Sequence, residues 1–418
     1  MFVGLERVLR QIVKRGSLAV TDAEGRQQLF GDGTGEQLAF RLADRATELK
    51  LSVYPAFVIG EAYMDGRLQL EGGSIFDLLS LFLSNIEGRE LHPVLKWPAR
   101  VRRLFKDLQQ FNPASRARRN VAHHYDLSGA LYDLFMDRDR QYSCAYFEMT
   151  DQSLEDAQLA KKRHLAAKLA IKPGMKVLDI GSGWGGLGLY LAEVCGAEVL
   201  GITLSEEQHK LSNERAAQRG VADRVSFKLL DYRKLEGRFD RIVSVGMFEH
   251  VGVVHYGQFF RRVRNLLTDD GIGLLHSINR SDGPGVTSKW IAKYIFPGGY
   301  IPALSEVVPV MESSNLYITD VEILRLHYAE TLKEWARRFA DHRDRAREIY
   351  DERFCRMWEF YLAAAETSFR YGGMNNFQIQ FARHQNVLPL TRDYMIEEEE
   401  RLRAIDSQRP RFKSVPLH

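Results

Sequence analysis

Three residues stand where chemistry could be done: Asp179, Glu249 and His276. Asp179 lies near the end of the apolar run Lys176-Val177-Leu178-Asp179-Ile180 and just before Gly181-Ser182-Gly183-Trp184-Gly185-Gly186. Glycine lets a backbone turn sharply and approach a ligand with no Cβ in the way. The apolar helix expected next, Leu187 to Val194, would point its free N–H groups at that ligand. Glu249 follows Gly246-Met247-Phe248, just past an expected strand end, and His276 lies within or at the end of the next strand. Ligands of open parallel sheets bind at such strand ends, where an acid and a histidine on neighbouring strands can converge.

The glycine-rich turn reads as a nucleotide corner, and two nucleotides compete for it. Gly181, Gly183 and Gly186 satisfy the G-x-G-x-x-G spacing of a dinucleotide site, by itself a weak signal. That reading wants an acid about 20 residues on, at the end of the next strand. The strand Ala197–Thr203 ends instead in Thr203-Leu204-Ser205, although Glu206 is near the required spacing, so NAD stays open. Asp179, placed before the first glycine, fits S-adenosylmethionine (SAM) better, because there it can orient the amino-acid end of the cofactor. Asp231 ends a further strand, where an acid can accept from an adenine amino group. Its other reading is a helix N-cap before Arg233.

These groups need a scaffold to hold them. Short apolar runs near 176–180, 198–203, 225–230, 240–245 and 272–278 alternate with helical patterns, which is a parallel βαβ series. Asn376 to His384 alternates as a strand expected to close the sheet. The fold class is α/β: a doubly wound sheet, a small N-terminal α/β or α+β domain, and a helical lid. The expected divisions are an N-terminal domain over 1–90, a basic linker over 91–119, a catalytic domain over 120–400 with a helical insertion at about 283–372, and a tail over 401–418. In the N-terminal part, Ser17–Val20 and Leu49–Val53 read as strands. Ile75 to Leu83 reads as a helix so apolar that it must be buried or meet lipid.

Composition excludes several classes. The chain has 418 residues, net charge +3 and 45% hydrophobic residues, ordinary for a soluble protein. No apolar run reaches the roughly 18 residues of a membrane span, and no secretion signal is evident at the N-terminus. Three cysteines, Cys144, Cys195 and Cys355, are too few and too scattered for a disulfide framework or a zinc site, so no metal is expected. A reducing cytosol is the simplest compartment. Charge is concentrated in Lys96, Arg100, Arg102, Arg103, Lys106, Arg116, Arg118 and Arg119, against Asp107 alone. Such a patch suits anionic lipid headgroups or nucleic acid; a solvated linker is the plainer reading.

The residues also carry a resemblance. His124-Tyr125-Asp126-Leu127-Ser128, Tyr142-Ser143-Cys144-Ala145-Tyr146-Phe147, Asp179 to Gly186, Thr203-Leu204-Ser205-Glu206-Glu207-Gln208 and Met247-Phe248-Glu249-His250-Val251-Gly252 stand in this order. Together they resemble the cyclopropane-fatty-acid synthase family of SAM-dependent methyltransferases, which includes the mycolic acid cyclopropane synthases. The likeness runs from Tyr125 to about Tyr394. Gly60-Glu61-Ala62-Tyr63-Met64-Asp65-Gly66 is similar to the longer bacterial synthases acting on phospholipids. Ser182 departs from the cysteine of many relatives, a harmless change in a loop that works through its backbone.

The resemblance implies methylene transfer from SAM across a cis double bond of a phospholipid acyl chain, with bicarbonate as the base. It places Cys144, Glu249, His276, the backbone at Ile278, and Tyr328 around the bicarbonate, with Tyr125 in the catalytic set. The cofactor would meet Tyr142, Ser143, Asp179, Gly181, Gly183, Trp184, Gly185, Thr203, Gln208, Asp231 and Tyr232. Aromatic faces for a carbocation could come from Tyr125, Tyr146, Phe147, Phe248 and Tyr328. The expected partner is unsaturated phospholipid at an anionic membrane surface, not nucleic acid. The expected location is the cytoplasm, peripheral to the inner face of the membrane, and a homodimer is allowed. Methyl transfer without ring closure and N-methylation of a small amine are the competing readings.

Overall fold

The structure, a computed structural model, describes residues 1–88 and 129–409. Tyr125 and its motif, the basic patch at 96–119 and residues 410–418 of the expected tail lie outside the described residues, while the tail's first part continues the helix Asp393–Gln408. The chain divides into two compact units.

The larger unit is built on a seven-stranded sheet. Its strands are β5 (Lys176–Ile180), β6 (Glu198–Thr203), β7 (Val225–Leu229), β8 (Phe239–Val245), β9 (Leu267–Arg280), β10 (Tyr317–Leu324) and β11 (Met374–Ala382); β1 to β4 belong to the smaller unit. The order across the sheet is β10-β11-β9-β8-β5-β6-β7, with β5 to β9 parallel and β10 antiparallel to β11. The strand order reverses between β5 and β8, and a switch of this kind opens a crevice at the strands' carboxyl ends. The middle strands are buried on both faces, as a sheet covered by crossover helices requires. Leu178, Ile180 and Ile242 join one apolar cluster, while their neighbours Val177 and Val243 join the other.

Two sequence expectations change here. Residues 376–384 do form most of a strand, but β11 lies inside the sheet, and β10 is the edge. Its polar residues Thr319, Asp320 and Glu322, interspersed with apolar ones, weaken the strand signal, as is usual on a half-exposed edge. Leu49–Val53 is the end of a helix, Arg45–Val53, not a strand. Asp44 caps that helix by accepting from Thr47 N at 2.8 Å, and five residues of alternation are too short to outweigh a cap.

The smaller unit joins the N-terminal residues to Thr287–Pro297 and Leu332–Met374. It contains the sheet β2-β1-β3-β4, made of β1 (Ser17–Thr21), β2 (Gln27–Gly31), β3 (Gln37–Leu42) and β4 (Leu68–Gly72). The apolar helix Ile75–Ile86 packs on the long helix Glu352–Tyr371. Much of the segment expected as an insertion of the sheet domain thus groups with the N-terminal residues, because that is where its aromatic face finds apolar partners. The Gly60–Gly66 motif is the seam. Glu61 accepts from Lys293 Nζ and Tyr294 Oη, both at 2.7 Å, Tyr63 Oη donates to Glu359 at 3.0 Å, and Asp65 accepts from Arg353 at 2.9 Å. Gly60 leaves room for Trp290, whose Nε1 would lie 2.4 Å from any Cβ there.

Candidate active site

The crevice at the switch point is a cavity enclosing about 1210 Å³, its open mouth included. Asp179, Gly181, Gly183, Trp184, Thr203, Gln208, Asp231, Tyr232, Tyr142 and Ser143 all line it. Gly185 does not; a Cβ there would meet Phe227 and Ser212 at 2.7 and 2.8 Å, so this glycine serves helix–strand packing. Gly181 has φ +86° and faces Met247, whose side chain leaves no room for a Cβ. Its N–H and that of Ser182 donate to Ile202 O at 2.9 and 3.0 Å, which ties the turn to the end of β6.

The polar groups of the cavity distinguish the two nucleotides. Glu206, which a dinucleotide would need, is exposed and does not line the cavity. The end of β6 presents Thr203 instead, its Oγ1 donating to Gln208 Oε1 at 2.8 Å. Asp179 is 2% exposed, and its Oδ2 has no hydrogen-bond partner. Burial raises its pKa to about 7. A buried, unpartnered carboxylate fits a cationic ligand group, such as the ammonium of SAM. Asp231 lines the cavity and also caps the turn that follows, accepting from Arg233 N at 3.0 Å and from its guanidinium at 2.6 and 2.9 Å.

The loop is held from behind by a network that the sequence did not announce. Arg215 Nη1 donates to Trp184 O at 2.6 Å, and its guanidinium pairs with Asp139. Burial alone would raise the pKa of Asp139, but Lys162, Arg215 and Arg219 together bring it far below the ordinary carboxylate range. A second buried cation, Lys161, lines the cavity and donates to Ser143 Oγ at 2.7 Å. The run Lys161-Lys162-Arg163-His164 was the available clue. Four consecutive charges on a helix packed on both sides, Leu154–Lys168, cannot all reach solvent, and all four are buried.

None of Cys144, Glu249, His276, Ile278 and Tyr328 lines the cavity. Glu249 sits in the turn Phe248–His250 after β8, between the cavity residues Met247, His250 and Val251. Its Oε1 accepts from Ile278 N at 2.7 Å, and its Oε2 is buried without a partner. Burial raises its pKa. His276, on β9 opposite Val245 of β8, is 1% exposed. Its ring nitrogens face the amides of Gln378 at 3.2 Å and Asn376 at 3.5 Å, two residues apart on β11. Burial lowers its pKa to about 3, so the imidazole is neutral.

Cys144 is buried, which raises its thiol pKa. Its segment hangs on the first turn of the helix His327–Asp341, where Ala145 N donates to Thr331 Oγ1 and Phe147 N to His327 Nδ1, both at 3.0 Å. Tyr328, itself buried, belongs to that turn. Two aromatic faces expected for a carbocation are occupied. Tyr146 is stacked between His164 and His327, at 4.1 and 5.1 Å. Phe248 is wholly buried against Tyr256, Phe259 and Phe260.

Residues 113–379 match the family described as mycolic acid cyclopropane synthetase. The chain is 36% identical over 354 residues to a probable fatty acid methyltransferase of Pseudomonas putida, covering 81% of this chain and 86% of the relative. It is 38% identical over 327 residues to the cyclopropane-fatty-acyl-phospholipid synthase of Escherichia coli K12, covering 78% and 82%. Among solved structures it is similar to the mycolic acid cyclopropane synthase CmaA1 complexed with SAH and CTAB, at 32% identity and a TM-score of 0.61, covering 65% of this chain and 99% of that one.

Proposed function

Since the chain belongs to the mycolic acid cyclopropane synthetase family of SAM-dependent methyltransferases, we propose that it adds a methylene from SAM across a cis double bond of a phospholipid acyl chain. The alkene π electrons attack the activated methyl carbon, and the carbon–sulfur bond breaks to release the thioether. A proton then leaves the transferred methyl, and its carbon–hydrogen electrons close the three-membered ring. An alkene is a weak nucleophile, so alignment and exclusion of water must supply much of the acceleration.

The observation that carries this reading is Glu249. A carboxylate with one oxygen fixed by Ile278 N and the other buried and unpartnered is built to accept from a hydrogen-bond donor. Bicarbonate held there would supply the base for the departing proton, and Glu249, neutral His276, Cys144, Tyr328 and the backbone at Ile278 are the residues that would hold it. Burial keeps the Cys144 thiol protonated, and its S–H donates to Ala145 O at 3.3 Å, so it does not attack. The absence, among the described residues, of a helix long and apolar enough to cross a membrane is compatible with peripheral docking on an anionic bilayer, the source proposed for the acyl chain.

The deciding experiment is mass spectrometry of fatty acids after incubation with SAM and vesicles of cis-unsaturated phospholipid. A product heavier by one CH₂ that resists hydrogenation is expected. A second reading, methyl addition without ring closure, is favoured by the similarity to the fatty acid methyltransferase. It predicts the same gain in a product without a ring.

A further inference from the structure

Lys161 is a buried ammonium with no carboxylate in ion-pair contact among the described residues; Asp137 and Asp139 favour its charge only from a distance. Its helix carries three other buried cations that are paired: Lys162 with Asp139 at 2.6 Å, Arg163 with Asp406 at 2.9 Å, and Lys168 with Asp320 at 3.2 Å. Lys161 is 1% exposed, yet no carboxylate lies within ion-pair distance of it among the described residues. Of its three N–H donors, one is engaged, by Ser143 Oγ. A buried charge left in this state is costly unless something else pairs with it.

Asp179 is the complementary case on the same cavity wall: a buried carboxylate with an unpartnered Oδ2. The two are close enough for the ammonium to lower the pKa of the carboxyl, but they do not touch. A cation and an anion that line one cavity without pairing match a ligand that carries both charges. Arg140 also lines the cavity; its Nε and Nη2 donate to Asp133 at 2.7 and 2.5 Å, so its charge is paired, while its buried Nη1 has no hydrogen-bond partner. Burial draws Lys161 down to about 8 and Asp179 up to about 7. Both are pushed toward neutrality, and a zwitterion would restore both charges.

We propose that Lys161 binds the α-carboxylate of the co-substrate's amino-acid end while Asp179 takes its α-ammonium. The proposal rests on the assignment of this cavity to SAM. Ser143, held by the lysine, is positioned to share the same carboxylate.

The test is calorimetric binding of two adenosyl ligands to the full chain at neutral pH. S-adenosylhomocysteine carries the zwitterionic end, and 5′-methylthioadenosine lacks it. Lys161→Met is expected to weaken the first about 10- to 100-fold, the range of a charge-assisted hydrogen bond. The second should change by less than about threefold on the same scale. Lys161→Arg should recover part of the loss. Unchanged homocysteine affinity, or an equal loss for both ligands, would overturn the proposal, the latter by showing a merely structural lysine. Unchanged affinity with a raised bicarbonate requirement in turnover would instead assign Lys161 to bicarbonate and overturn it as well. If the unsubstituted chain binds neither ligand, the SAM assignment itself fails.

Discussion

Ile278 N donates to Glu249 Oε1 at 2.7 Å, joining the end of β9 to the turn after β8. The bond fixes one carboxylate oxygen and leaves the other, buried and unpartnered, as the acceptor. Glu249→Gln keeps an oxygen for Ile278 and puts an amide donor where an acceptor stood. Turnover should fall about 10²- to 10⁴-fold, the scale of a lost acid–base partner. S-adenosylhomocysteine binding should stay within error. A variant with more than half the original kcat would remove Glu249 from the chemistry.

Asp179 gives cofactor binding a pH dependence. Burial raises its pKa to about 7 in the free protein. The ligand's ammonium favours the ionised form and so lowers that pKa in the complex. Affinity should therefore fall as pH drops below about 7, approaching tenfold per unit, and binding there should release a proton. Asp179→Asn should bind more weakly and lose this slope. Calorimetry between pH 5.5 and 8 in buffers of different ionisation enthalpy checks both points. A slope unchanged in the variant would assign it to another group.

His164 should make stability pH-dependent. Burial disfavours its charge, but hydrogen bonds with Glu322 at 2.7 Å and Glu399 at 2.5 Å outweigh burial and raise its pKa. Lys168, also near, opposes the charge. A raised folded pKa means the contribution is fully present below the unfolded value of 6.5 and is lost as pH rises through the folded value. His164→Gln should therefore lower Tm more at pH 6 than at pH 9. An equal loss at both would show that packing against Tyr146, not charge, is what the histidine supplies.

Arg215 holds the cofactor turn through Trp184 O at 2.6 Å. Arg215→Met removes that bond and one of the three cations around Asp139, leaving Lys162 and Arg219. Stability should fall by about 1–3 kcal/mol, and S-adenosylhomocysteine should bind more weakly. Urea unfolding and calorimetry read the two effects; undiminished binding would show that the turn holds its shape without the arginine.

Gly60→Ala tests the seam of the smaller unit. The new methyl would lie 2.4 Å from Trp290 Nε1 and 2.8 Å from Phe360. Overpacking of this kind costs about 1–3 kcal/mol. A drop in Tm with unchanged S-adenosylhomocysteine binding is expected. A stability equal to the parent would mean that Trp290 can move aside.

The sequence by itself determined the cofactor corner and the positions of its acid, because a strand, a glycine turn and a helix are written in contiguous residues. Glu249 past β8 and His276 on β9 were readable for the same reason: strand ends follow from local apolar runs. The sequence also carried enough motif to indicate the family. What it could not carry were contacts between residues far apart in the chain. Only the tertiary structure paired Glu249 with Ile278, set Gln378 and Asn376 of β11 against His276, and turned the rings of Tyr146 and Phe248 into packed neighbours. It also left Lys161, among the described residues, without a carboxylate in ion-pair contact, and grouped Leu332–Met374 with the N-terminal residues. Periodicity states that a face must be buried or a charge answered; which partner does so is settled when distant elements pack.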